Sequence, residues 1–66
     1  MYKVVMVGLY REFVVDKDLT IENAQRRYDY ILHMQEEDEH YFDNLLISKV
    51  VIEEEKTGFV VKGVRV

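Results

Sequence analysis

Cysteine is absent from this 66-residue chain, which removes two of the usual ways of stabilising a small domain. Without it there is no disulfide and no cysteine–zinc site. A domain of this size buries only roughly 60 % of the surface that its unfolded chain exposes. Its core must therefore be efficient, or a second copy must complete it. The two histidines offer little for a metal instead. Self-association is the expected staple, and no cofactor is expected.

The raw material for a core is present, since 48 % of residues are hydrophobic, well above the level of disordered chains. There is no proline, so long regular elements are expected in one domain over residues 1–66. The net charge of −4 comes from thirteen acidic against nine basic residues. That balance disfavours a grip on phosphate backbones and fits a protein partner with a basic surface. No apolar run approaches the ~18 residues of a membrane span. The opening residues lack the cleavage pattern of a signal peptide, because Arg11 and Glu12 interrupt a short apolar run. A cytoplasmic setting is expected.

Residues 2–15 have strand composition, with Val4, Val5, Val7, Tyr10, Phe13, Val14 and Val15. They read as one long strand bent at Gly8. A hairpin with a loop at Gly8-Leu9 is the competing reading. Asp16-Lys17-Asp18 reads as a polar break. Thr20 is a good N-cap, and Glu22 follows in the first turn, where a carboxylate meets the positive end of the helix dipole. Ile21, Ala24, Tyr28, Ile31 and Leu32 repeat at helical spacing. Tyr41, Phe42, Leu45 and Leu46 extend a helical face, so helix is expected from about 20 to about 45, with a kink near 36–39. Val50 to Val61 forms a hairpin around Lys56-Thr57-Gly58, with Gly58 in the left-handed position. That register sets Val50 against Val64, Val51 against Gly63, Ile52 against Lys62, Glu53 against Val61 and Glu54 against Val60.

The fold class is thus α+β. A three- to four-stranded antiparallel sheet, built from a long N-terminal strand or hairpin and a C-terminal hairpin, carries a central helix on one face. The expected core is Val4, Met6, Ile21, Ala24, Tyr28, Ile31, Leu32, Leu45, Val50, Ile52, Val60 and Val64. One helix covers one face of such a sheet. The other face would expose Val51, Phe59 and Val61, which makes these three the candidate interface. The five tyrosines lean the same way, since tyrosine is enriched at interfaces.

Other features carry weaker chemistry. Glu36, Glu37, Asp38, Glu39 and Asp43 form a candidate acidic patch, which could imitate a phosphate backbone in a basic groove. His33, Glu37 and His40 share one helical stripe if the helix is continuous, but the pattern is not a zinc-protease motif. Arg26 and Arg27 beside Tyr28 and Tyr30 mix cations with aromatics, as RNA-binding surfaces do. Local pairing of Arg26 with Asp29 and Tyr30 accounts for them more simply. Catalysis has little to work with: one serine, Ser48, and isolated glycines at 8, 58 and 63. The sequence therefore reads as a non-enzymatic protein-interaction module, self-associating as a homodimer. A nucleic-acid-directed factor is the alternative.

The order of signals also resembles a known group. A valine-rich opening, MYKVVMVGLYREFVV, leads through an acidic turn to a helix opening LTIENAQRRYDYIL, and the chain closes on a hairpin. This is similar to many small α+β proteins of phages, prophages and plasmids. The resemblance covers about the first 35 residues and contains no diagnostic motif, so no residue role is carried over. It implies an accessory or inhibitor protein that acts in a host cytoplasm by binding a host protein.

Overall fold

The computed structural model describes all 66 residues. Strand β1 (Tyr2–Gly8) turns directly into β2 (Glu12–Leu19). Helix α1 (Ile21–Glu37) and a single turn, α2 (Tyr41–Asn44), lead to β3 (Ile47–Glu54) and β4 (Val60–Arg65). The four strands form one antiparallel sheet in the order β2-β1-β3-β4. The expected α+β class and the helix packed on one sheet face are both present.

The N-terminal segment is a hairpin, not one bent strand. Its turn falls at Leu9-Tyr10, one residue beyond the competing Gly8-Leu9 reading. Gly8 N donates to Arg11 O at 2.8 Å. A Cβ at Gly8 would lie 2.8 Å from that same oxygen and 3.3 Å from Leu46 O. Glycine is needed there because two backbones approach it, not because a strand bends. The polar break at residues 16–18 does not occur either, for β2 continues to Leu19. An edge strand tolerates charged side chains that a central strand would not. A register shift lies where Asp16 faces Val4, and Asp18 has φ 56°.

Thr20 caps α1 as expected, with its Oγ1 accepting from Asn23 N at 3.2 Å. Ala24, Tyr28 and Ile31 are its buried positions. The helix is not continuous to residue 45. It ends at Glu37, where Asp38 is the C-cap, and only one turn re-forms after it. Four successive acids at the negative end of a helix dipole give a physical reason to stop there.

The core between helix and sheet comprises Val4, Met6, Ala24, Tyr28, Ile31, Phe42, Ile47, Val50 and Ile52, with Leu32 partly buried against it. Ile21, Leu45, Val60 and Val64 are exposed, contrary to expectation. Ile21 is the first helical residue, and Leu45 lies past the end of α2. Val60 and Val64 belong to β4, whose backbone α1 does not approach: the helix packs over β2, β1 and β3. The hairpin register is also partly revised. Val50–Val64, Val51–Gly63 and Ile52–Lys62 pair as expected, but Glu53 faces Val60, so Val61 is the extra residue of a bulge. Gly58 does take the left-handed conformation, at φ 74°.

Candidate interaction surface

The sheet face opposite α1 is built from side chains that alternate with the core set. Val14, Val5, Val51 and Gly63 form a row across all four strands. A second row runs Glu12, Val7, Lys49, Arg65. Lys3 and Glu53 pair across β1 and β3, with Nζ and Oε2 3.8 Å apart. Charged neighbours thus flank an apolar centre.

That arrangement corrects one expected interface residue. Val51 is only 3 % exposed and Val5 is fully buried. Gly63 gives the reason, since a Cβ there would sit 2.9 Å from Val51 Cγ1. Val51 lies in the space that a side chain at 63 would fill. The other two expected residues are available: Phe59 is 67 % and Val61 44 % exposed. At the opposite sheet edge Val14 is 53 % exposed. Every residue of β4 is exposed. Its one link to the helix is Lys62, whose Nζ lies 3.3 Å from Gln25 Oε1 and 5.4 Å from the centre of the Tyr28 ring. Tyr28 itself is buried, and burial, reinforced by the nearby Asp29 carboxylate, raises its phenol pKa above 10.0.

A second apolar surface lies at the end of the sheet where β1 meets β2. Leu9, Tyr10, Leu45 and Leu46 surround a cleft of ≈ 130 Å³ lined also by Phe13 and Arg11. Sequence reading did not bring these residues together. The junction depends on a bond between distant loops, from Leu9 N to Leu46 O at 3.0 Å. Arg11 stacks on Phe13, 4.3 Å from the ring centre. Leu46 is half-exposed with φ 56°, a conformation that costs a branched residue free energy. The cleft is well below the ~300 Å³ at which metabolite pockets begin, and its size suits a single side chain.

The acidic residues Glu36, Glu37, Asp38, Glu39 and Asp43 are all exposed around the break between α1 and α2. The histidines lie among them but do not share a site. His33 approaches Glu36 at 3.0 Å and Glu37 at 3.4 Å, while His40 approaches Glu39 at 3.5 Å and Asp43 at 3.8 Å. The end of α1 at Glu37 takes His40 off the stripe. No three His, Asp or Glu side chains are arranged to hold a metal ion. The basic–aromatic segment is used locally, with partners one residue from those expected. Arg27 lies over Tyr30 at 5.4 Å, and Gln25 donates to Asp29 at 2.9 Å. No helix is long and apolar enough to cross a membrane.

Together these features define a small α+β domain with an open-faced four-stranded sheet. No protein family, curated protein or solved structure matches the chain.

Proposed function

We propose that this protein is a non-enzymatic protein-interaction module that self-associates. One observation carries the reading. Strand β4 is exposed along its whole length and bears Val60, Val61 and Val64, with Phe59 just before it. Isolated exposed apolar residues are common on any surface. Three of them on one uncovered edge strand, with Phe59 beside them, make an apolar edge of the kind that partners cover. Light scattering over a range of protein concentrations tests this. A mass above that of one chain is expected. Phe59→Asp and Val61→Asp should each lower it while leaving the thermal melt of the separated chain unchanged. Unchanged assembly in both variants removes this end of β4 as the interface.

A second reading rests on the acidic cluster around the α1–α2 break. Five exposed carboxylates there suit a basic partner, whether a protein surface or the groove that would otherwise hold nucleic acid. Binding to a poly-lysine peptide that weakens steeply with salt, and that is lost on charge reversal of Glu36 to Glu39, is the expected result. Binding that persists after the reversal removes this reading.

A further inference from the structure

The two edges of the sheet are complementary. Edge β4 carries Lys62 and Arg65 and no acid. Edge β2 carries Glu12, Asp16 and Asp18 against the single cation Lys17. The pairing registers show how these charges are placed. The row that ends in Arg65 on β4 runs through Lys49 and Val7 to end in Glu12 on β2. The row that ends in Lys62 runs through Ile52 and Val4 to end in Asp16. Each cation of β4 thus stands at one end of a row whose other end is a carboxylate.

Strand direction agrees. β1 is antiparallel to both β2 and β3, and β3 to β4, so the two edge strands run in opposite directions. A second copy shifted along the sheet would place its β2 antiparallel to the first copy's β4, with both helices on the same side. In that register Arg65 meets Glu12, Val64 meets Phe13, Gly63 meets Val14, and Lys62 meets Val15, one residue short of Asp16. The first pair joins opposite charges, and the second joins a β-branched residue to an aromatic one. Val14, half-exposed within one chain, comes to lie beside the space above Gly63 and against Val51. Pairing β4 with β4, or β2 with β2, would bring like charges together instead.

We infer that the occupant of the β4 edge is the β2 edge of a second copy of this chain, which continues the sheet head to tail. This rests on the self-association proposed above and names its mode. The contact is heterologous, so each added copy presents a fresh edge and the assembly grows past a dimer with concentration. Cations on an edge ordinarily guard against sheet extension. Here they also select which edge can approach.

The test uses light scattering at low and high salt on the full chain with Arg65→Glu, Glu12→Arg and the double variant. All three alter exposed side chains, and matched thermal melts check the fold. The wild-type mass should rise past a dimer with concentration and fall with salt. Each single reversal should weaken association about ten-fold, turning an attractive pair into a repulsive one. The double reversal should restore it. Wild-type assembly that ignores both single reversals overturns the head-to-tail mode and leaves self-association standing. Tighter assembly of Arg65→Glu alone overturns it in favour of β4 pairing with β4. A wild-type chain that stays monomeric at every concentration removes self-association itself.

Discussion

Val51 on β3 and Gly63 on β4 stand opposite each other on the open face, and only 2.9 Å separates Val51 Cγ1 from the point a Cβ at 63 would occupy. The valine is held by its branched χ1 and its burial. Gly63→Ala should therefore destabilise the chain by about 1–2 kcal/mol through overpacking, although alanine in a strand is ordinarily an improvement on glycine. Urea denaturation checks this. In a Val51→Ala background the same substitution should cost nothing, and a cost that persists there would show that Val51 is not the obstacle.

Leu46 combines two unfavourable local features, a left-handed backbone and an exposed aliphatic side chain. Leu46→Gly should raise stability by about 0.5–1 kcal/mol by relieving the first. Leu46→Ala keeps the backbone cost and should give no such gain. Comparison of the two urea midpoints separates conformational relief from lost side-chain contact.

The start of α1 depends on Thr20. Thr20→Ala leaves Asn23 N without its side-chain acceptor and should cost about 1 kcal/mol, whereas Thr20→Ser should cost little. Thermal melts followed by circular dichroism give the ranking. Equal losses in both would mean that the methyl group matters rather than the hydroxyl.

Tyr28 links stability to alkaline pH. Burial, with Asp29 adding to it, raises its pKa in the folded chain above the unfolded value of 10.0. The unfolded chain therefore releases this proton first as pH climbs. The contribution of the phenol is complete below about pH 10 and is lost as pH rises through the folded pKa. Tyr28→Phe should show a shallower fall in stability above pH 10 than wild type. Identical alkaline slopes for the two proteins would contradict this.

Much of the fold is legible in local chemistry. Thr20 before Ile21 marks the helix start, Ala24, Tyr28 and Ile31 mark its buried face, and Gly58 marks the second hairpin. What escaped reading depends on tertiary position. Val4, Val5 and Met6 are consecutive and all buried, because β1 is an inner strand with neighbours on both sides. Periodicity alone does not separate that arrangement from a strand with one wet face. Asp16 to Asp18 looked like a break because three charges rarely sit in a strand, yet an edge can carry them. At the candidate surface, Phe59 and Val61 are exposed as expected, but the bulge at Val61 breaks the alternation and sets Val60, not Val61, against Glu53. Val51 is not exposed, because its burial depends on the side chain that Gly63 lacks. The cleft of Leu9 and Leu46 is out of reach of the sequence, since it forms only where two loops far apart in the chain meet.

The order β2-β1-β3-β4 sets how the chain can assemble in time. Each outer pair, β1 with β2 and β3 with β4, is a hairpin between near neighbours in sequence, and each can close quickly. The inner seam joins Val4 to Ile52 and Val5 to Val51, positions far apart in the chain. It requires a long loop to be closed before it returns any stabilisation. Meeting of the two hairpins under α1 should therefore be the slow event in folding. Substitutions along the β1–β3 seam should change the rate of folding, whereas those in β4 should chiefly change the rate of unfolding.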